Sequence, residues 1–322
     1  MTAAITSMRQ SLAAAEPGGY VVYLGFLLIL AVFAVVLRDD GFLTVANLLN
    51  IVLQTTPITV MAVGTVFVLT AREIDLSIGS VVALSALVCA VVLRDHSPVV
   101  AVLAALAVGA FVGLFNGVLI TRWRLPSFLV TLATLGLLAG VGRLVTNLQS
   151  VPVTDERFIA FFGSGSLGPV PGLVVWSLVA LGIGHVVFRQ TRFGAHVLAI
   201  GDNAAAARVC GIRVERDRVI VMMLSGGSAA LAGILYCGRL QGARYTLGES
   251  DLMTVIAAVI IGGTRLNGGT GSVVGAVVGS LIMGMLNNGL ILMGLTVAEQ
   301  MIVRGAIILV AVALTLRDDQ KA

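Results

Sequence analysis

The chain has 322 residues, of which 58% are hydrophobic and only 11% are charged, and its formal net charge is +4. Soluble domains carry roughly 25% charged residues, so this composition excludes an ordinary soluble domain. Apolar runs recur along the chain, and a helix needs about 20 such residues to cross the hydrocarbon core of a bilayer. A membrane β-barrel would instead show short segments of alternating polarity. The composition therefore predicts an all-α, polytopic membrane protein.

The apolar runs predict about ten membrane segments, which together form one transmembrane domain over residues 20–316. In chain order the predicted segments are 20–37, 43–71, 78–93, 99–121, 127–148, 172–188, 219–237, 251–261, 273–293 and 298–316. The segment 251–261 would form about 16 Å of helix, which is too short to cross alone, so crossing and re-entry both stay open. Residues 1–19 and 317–322 are predicted to be polar terminal segments.

Small residues and scattered cysteines carry structural predictions only. Gly109, Gly113 and Gly117 recur at four-residue spacing, which permits close helix packing. The three cysteines lack CxxC spacing and the three histidines lie far apart, so we expect neither a disulfide nor a metal site. The cysteines are expected to be small apolar fillers. The pI near 9.3 comes from loop arginines, so no nucleic-acid binding is inferred.

Uncharged amides inside the apolar runs are the candidates for a substrate pathway. Asn47, Asn50 and Gln54 are three and four residues apart and share one helix face. Amides within a membrane helix either bond to neighbouring helices or line a wet path, and the sequence leaves both open. The candidate pathway residues are Asn47, Asn50, Gln54, Asn116, Asn287 and Asn288.

Two polar breaks interrupt the apolar pattern, at residues 73–80 and 262–272, and each is followed by Val-Val. Each is either an ordinary interfacial turn or a break in a helix that shapes a gate, as broken helices do in transporters. Side chains in the breaks can bond to free backbone N–H groups, and glycine permits unusual backbone angles. The candidate gate and hinge residues are Asp75, Ser77, Gly79, Gly263, Asn267 and Gly271.

The longest polar interruption is the arginine-rich loop 190–218. Within it, Asp202-Asn203 can cap a short helix whose alanines favour helix formation, and Gly211 suits the left-handed position after its end. A capped helix in a basic loop is suited to docking a partner, although a plain solvated loop is the alternative. The candidate coupling residues are Gly201, Asp202, Asn203, Ala206, Ala207 and Gly211.

The distribution of Arg and Lys predicts the orientation of the chain. With ten segments and a cytoplasmic N-terminus, most of the 20 Arg and Lys residues fall in cytoplasmic ends and loops. This topology places both termini, the loop 190–218 and both breaks on the cytoplasmic side.

The residues needed for nucleotide hydrolysis are missing. A phosphate-binding P-loop needs a lysine after its glycines, but the one lysine of the chain is Lys321. An ion-coupled carrier usually has acids within its spans, whereas Glu73, Asp75, Asp251 and Glu299 all lie at segment ends. The chain is therefore predicted to be a conduit without catalytic residues or cofactors, driven through a cytoplasmic loop, and not an enzyme.

Several blocks in order resemble the permease subunits of bacterial ATP-binding-cassette importers for monosaccharides of the ribose, xylose and galactose type. The blocks are EIDLSIGS at 73–80, FNGVLITRWRLPSFLVTLATL at 115–135, TRFGAHVLAIGDNAAAARVCGI at 191–212 and IAAVIIGGTRLNGGTGSVVGAVVG at 256–279. LNNGLILMG at 286–294 and QMIVRGAIILVAV at 300–312 extend the resemblance. Asp251 stands where many relatives are expected to have a glutamate.

The resemblance implies a fold and a set of partners. It implies the importer permease fold, in the lipid of a bacterial inner membrane, as a homodimer or beside a paralogous permease. It also implies two ATPase subunits bound near residues 201–211 and a periplasmic or lipid-anchored sugar-binding protein. Permeases for branched-chain amino acids share this architecture, so the amino-acid branch stays open, as does a stand-alone channel or ion-coupled carrier.

Overall fold

A computed structural model describes the backbone of residues 18–319 and the side chains of residues 22–309. Residues 1–17 and 320–322 lie outside the described residues, and with them most of the predicted N-terminal segment and half of the tail. The helices are α1 (Gly18–Val36), α2 (Val45–Thr70), α3 (Ile78–Val92), α4 (Pro98–Arg122), α5 (Ser127–Thr146), α6 (Glu156–Ile159), α7 (Gly172–Gln190), α8 (Arg192–Val209), α9 (Val214–Leu240), α10 (Asp251–Ile261), α11 (Val273–Leu292) and α12 (Val297–Asp319). The predicted all-α architecture is confirmed.

Six of the described helices are long and apolar enough to cross a membrane: α2, α4, α5, α7, α9 and α11. Three shorter apolar stretches, Val22–Val36, Ile78–Val92 and Asp251–Ile261, accompany them. The structure thus shows a multi-span helical protein, and the segments that the apolar runs predict correspond to helices within a few residues.

The centre of the fold is α9, which packs against α2, α3 and α4. The glycine stripe on α4 makes this packing close, because a Cβ on Gly109 would collide with the carbonyl oxygen of Gly226. A Cβ on Gly113 would likewise collide with the Met222 carbonyl. The prediction that these glycines serve close helix packing is confirmed.

Residues 149–171 form several short helical and strand elements. It holds the short α6, a π-helical turn (Ala160–Ser164) and two-residue strands, β1 (Val151–Pro152), β2 (Ser166–Leu167) and β3 (Val170–Pro171). Strand β1 pairs with β4 (Gly242–Ala243), and β2 pairs with β3. Phe158 is fully buried whereas Phe161 is 63% exposed, so the aromatic side chains are divided between core and surface.

The predicted loop 190–218 is largely helical, which corrects the description of it as a loop. Thr191 accepts a hydrogen bond from the Gly194 N–H at 3.3 Å and begins α8. Helix α9 already begins at Val214, before the apolar run that predicted it. Four of the five extra residues, 215–218, are charged, so hydropathy missed them, although arginine and glutamate form helices about as readily as leucine does.

Two short helices begin close together inside the helical body. A Cβ on Gly79, in the first turn of α3, would lie 2.6 Å from the carbonyl oxygen of Gly248, three residues before α10. This contact places the segment between β4 and α10 against the start of α3, a proximity that a pattern of apolar runs alone does not show.

Candidate functional site

The first part of the candidate site is the C-terminal third of α8, which is a separate helical segment. Asn203 breaks the helix with φ −149° and ψ 99°. Its side-chain oxygen accepts the N–H groups of Ala205 and Ala206, each at 3.0 Å. Gly211 follows the segment at φ +85°. The predicted cap and helix stop are confirmed, and the capping residue of the two candidates is Asn203, not Asp202.

The alanines of this segment differ in exposure, which divides the candidate coupling residues. Ala206 is exposed, whereas Ala207 is buried against Ile200 and Val214. Ala207 therefore supports the segment from within and offers no surface to a partner. Val209 is 90% exposed and was missed by the sequence reasoning. The sequence feature that could have identified Val209 is a large apolar side chain at the polar end of a capped helix.

Gly201, just before the kink, touches the end of α2 and the second break. A Cβ on Gly201 would collide with the carbonyl oxygen of Thr70 and with the backbone nitrogen of Gly269. The Gly269 N–H itself donates to the Thr70 carbonyl at 3.0 Å. The structure thus joins the end of α2, the loop 262–272 and the kinked α8 in one cluster at one end of the molecule.

The candidate hinge residues of the second break take different places. Gly263 has φ +86° and directly follows the last turn of α10. Gly271 packs against the Thr70 side chain. A Cβ added to Gly271 would lie 3.1 Å from the Phe188 ring. Asn267 is exposed in the loop between them. The Ser272 hydroxyl accepts the Gly275 N–H at 3.0 Å, which caps α11 as predicted.

The first break is fixed by a buried carboxylate. Asp75 Oδ1 accepts the backbone N–H of Ser77 at 2.9 Å and its hydroxyl at 2.6 Å. Asp75 Oδ2 accepts the Ser225 hydroxyl of α9 at 2.7 Å. Burial raises the pKa of the Asp75 carboxyl, and the hydrogen bonds from Ser77 and Ser225 oppose this rise. Ser77 precedes α3, but its side chain does not cap the helix. Of the two residues, Asp75 is the one whose side chain accepts a backbone N–H group, that of Ser77.

This buried network continues into α4 and α5. Asn116 donates to the Ser77 hydroxyl at 3.1 Å and accepts from the Thr134 hydroxyl at 2.7 Å. The side chain of Asn116 is fully buried. A continuous chain of hydrogen bonds therefore links Asp75 to α9 through Ser225, and to α4 and α5 through Ser77 and Asn116. Sequence reasoning missed Thr134 and Ser225, whose only signal was a hydroxyl within an apolar run.

An ion pair lies beside the same break. Arg218 Nε is 2.9 Å from Glu73 Oε1, and the Glu73 side chain is 7% exposed. Burial raises the pKa of the Glu73 carboxyl, and the neighbouring Arg218 guanidinium lowers it in opposition. The pair ties the first break to the start of α9, directly after the coupling segment.

Most of the candidate pathway amides already have partners within the chain. Asn47 and Asn288 bond to each other in both directions, at 2.9 and 3.0 Å, and join α2 to α11. Asn287 accepts from Arg304 at 3.0 Å, and Gln54 donates to Asn50 at 3.1 Å on the same helix. These contacts favour the helix-packing reading for Asn47, Asn116 and Asn288 and do not test the pathway role.

The cysteines, the metal-ligating residue types and Asp251 are the remaining side chains that the sequence analysis singled out. Within the described residues, no group of three or more His, Cys, Asp or Glu side chains could hold a metal ion. Cys89 and Cys237 are buried as expected of apolar fillers, whereas Cys210 is exposed, which corrects that expectation. The Asp251 carboxylate accepts the Tyr236 hydroxyl at 2.7 Å and so joins α10 to α9.

Comparison with known proteins places this arrangement in a family. The family model described as "Branched-chain amino acid transport system / permease component" matches residues 47–312. The ribose import permease protein RbsC of Escherichia coli (strain K12) is 40% identical over 279 residues, covering 85% of this chain and 87% of that protein. RbsC of Bacillus subtilis (strain 168) is 36% identical over 289 residues, covering 89% and 90%. The L-arabinose ABC transporter permease protein AraH of Azospirillum brasilense is 35% identical over 292 residues, covering 89% and 84%.

No solved structure matches the chain. The family match covers both helix breaks, the capped segment of α8 and all six candidate amides. The chain belongs to this family of permease components of transport systems.

Proposed function

We propose that the chain is the permease subunit of an ATP-driven importer that moves a monosaccharide, a pentose or hexose, across the inner membrane of a bacterium. The observation that carries the proposal is the identity of 35–40%, over most of the chain, to permeases named for ribose and arabinose. Since no P-loop is present in the sequence, the ATPase activity belongs to separate subunits.

The capped segment of α8 is proposed to dock the ATPase subunit. Three features support this: the Asn203 cap gives the segment a defined start, Ala206 and Val209 are exposed, and Gly201 packs directly on the end of α2 and on the second break. A displacement of the segment would therefore be transmitted through Gly201 to Thr70 and Gly269, which Gly201 contacts directly. Coupling of this kind needs contiguous packed groups between the two sites, and the cluster supplies them.

The two breaks are proposed to act together as hinge and seal at the cytoplasmic mouth. The support is that the second break contacts the end of α2, three residues before the first break, through the Gly269–Thr70 hydrogen bond and the tight packing of Gly271 against Thr70. Asp75 bonds the first break to α9, and Ser77 links it to Asn116 of α4, so a shift of α9 would be transmitted to the start of α3 at Gly79. Backbone outside a helix within a membrane must be buried in protein or face water, and Asp75 and Ser77 of the first break are buried.

The proposed assembly contains a second permease copy or a paralogue, ATPase subunits, and a periplasmic or lipid-anchored sugar-binding protein. Both termini and the α8 segment are proposed to be cytoplasmic, because this orientation places most Arg and Lys residues inside. A cysteine scan with an impermeant thiol reagent tests the orientation. Native Cys210 lies beside the α8 segment and should react only after the membrane is permeabilised.

A second candidate is import of branched-chain amino acids, which the description of the matching family favours. Reconstitution distinguishes the two. The permease is placed in proteoliposomes with the ATPase and binding protein encoded beside its gene, and ATP-dependent uptake of D-ribose, L-arabinose and L-leucine is measured. Uptake of a sugar supports the proposal, whereas uptake of leucine alone would assign the chain to the amino-acid branch.

A further inference from the structure

A cavity of about 340 Å³ lies where the starts of α3 and α10 face α5. This volume is at the lower end of the roughly 300–1,000 Å³ found for small-molecule sites. Its lining residues include Gly79, Ser80, Leu135, Ala139, Arg143 and Glu249. None of the six candidate amides lines it, so the cavity is a separate feature of the fold.

An ion pair forms the polar side of the cavity. Arg143 Nη2 donates to Glu249 Oε1 at 2.6 Å, and Nη1 donates to the Ala139 carbonyl at 3.1 Å. The guanidinium carbon lies 5.4 Å from the centroid of the Tyr245 ring. Arg143 thus has three partners within the chain. A charged pair among membrane helices is a functional-site candidate by default.

Both charged side chains keep unused hydrogen-bonding capacity. The Arg143 and Glu249 side chains are 39% and 42% exposed, respectively. A guanidinium has five N–H donors, of which Arg143 uses two, and a carboxylate has about four acceptor positions, of which Glu249 uses one. The cavity thus presents donors and acceptors side by side with no net charge.

Monosaccharides match this chemistry. Each sugar hydroxyl both donates and accepts, so neighbouring hydroxyls can bridge an arginine and a carboxylate, and charge-assisted hydrogen bonds of this kind are the stronger ones. A neutral ligand needs no unpaired charge in the protein, and the Arg143–Glu249 pair leaves none.

The end of the first break forms one wall of the cavity. Gly79 and Ser80 line it, and the backbone of Gly79 is in tight contact with Gly248. Four residues before Gly79 lies Asp75, whose carboxylate is bonded to α9. A molecule in the cavity would therefore rest directly on the element proposed to form the gate.

We propose that this cavity is a transient monosaccharide site on the transport path, in which Arg143 and Glu249 bind hydroxyls while the Tyr245 ring holds the Arg143 guanidinium in position. The proposal rests on the proposed function and adds to it a substrate-contacting site within the permease. Exposure of the ion pair makes the site weak, which suits a conduit that must release its substrate.

The first test separates sugar contact from a purely structural ion pair. In the reconstituted importer, Arg143→Ala, Glu249→Gln and Tyr245→Ala should each lower uptake of D-ribose or L-arabinose by about tenfold, whereas Tyr245→Phe should not. The charge swap Arg143→Glu with Glu249→Arg restores an ion pair but should not restore uptake. Recovery of uptake in the swap would overturn the proposal. The same swap at the exposed pair of Arg38 and Asp39 is the control and should leave uptake unchanged.

The second test detects occupancy without transport. In a background lacking the three native cysteines, Ala139→Cys should react with a small polar thiol reagent, and D-ribose or L-arabinose should slow the reaction. Ala133→Cys, on the same helix but outside the cavity, should show no protection. If the wild type imports a sugar but neither sugar protects Ala139→Cys, this inference fails alone. If the wild type imports no sugar, the proposed function fails.

Discussion

The backbone N–H of Gly269 donates a hydrogen bond to the carbonyl oxygen of Thr70 at 3.0 Å. This bond joins the end of α2, three residues before the first break, to the second break far along the chain, and Gly201 packs on both atoms. The end of α2, the loop after α10 and the kinked α8 therefore form one unit. Motion of any one of the three requires the other two to move or this contact to break.

Gly201→Val should uncouple the importer. The added side chain would collide with the Thr70 carbonyl and the Gly269 backbone, and such overpacking costs about 1–3 kcal/mol. We expect sugar uptake to fall by at least about tenfold while the protein still reaches the membrane. Gly182→Val is the matched control, since a Cβ at Gly182 meets no atom within 4 Å. Equal uptake in both variants would show that close packing at Gly201 is not needed.

Ala206→Glu should weaken ATPase binding without unfolding the segment. Ala206 is exposed and its N–H is already bonded to the Asn203 side chain, so a larger residue is accommodated in the free permease. We expect loss of ATPase co-purification and of uptake. Ala207→Glu is predicted to fail differently, because Ala207 is buried and the charge would disrupt the packing of α8. Retention of both ATPase and uptake in Ala206→Glu would contradict docking at this surface.

Asp75→Ala should be more damaging than Asp75→Asn. Alanine leaves the Ser77 N–H and the hydroxyls of Ser77 and Ser225 without an acceptor, and each unsatisfied buried group costs about 1–3 kcal/mol. Asparagine keeps one acceptor oxygen. We expect Asp75→Ala to hydrolyse ATP without importing sugar, measured as the ratio of ATP turnover to uptake. Asp39→Ala, at an exposed carboxylate, is the control. A normal ratio in Asp75→Ala would remove the gate role.

Asn47 and Asn288 should behave as one packing unit. Since each amide both donates to and accepts from the other, a double-mutant cycle with alanine should give a coupling free energy of about 0.6 kcal/mol, with about 1.7 as an upper value. Thermal unfolding in detergent measures it. Cysteines at the two sites should react slowly with polar thiol reagents, whereas cysteines at Asn50 and Gln54 should react fast if these residues line the path. Fast reaction at all four sites would assign the whole set to the pathway.

Local signals in the sequence determined much of this protein. Long apolar runs predict membrane helices because the bilayer requires about 20 apolar residues for a helical crossing. The α8 cap was predictable because a cap is made within three residues of itself, as Asn203 and Gly211 show. The four-residue glycine spacing on α4 likewise predicts a face of close contact, since that spacing places residues on one side of a helix.

The tertiary structure decided what those signals contact. Asp75 bonds to Ser225, Arg143 to Glu249, and Gly269 to Thr70, and each pair joins segments far apart in the chain. No local pattern specifies such partners, because their proximity results from how all the helices pack. The amides show the same limit, since spacing placed Asn47 on a helix face but only packing brought Asn288 opposite it. Burial separated Ala206 from Ala207 for the same reason: two adjacent alanines are alike in sequence, and only the neighbouring helix distinguishes them.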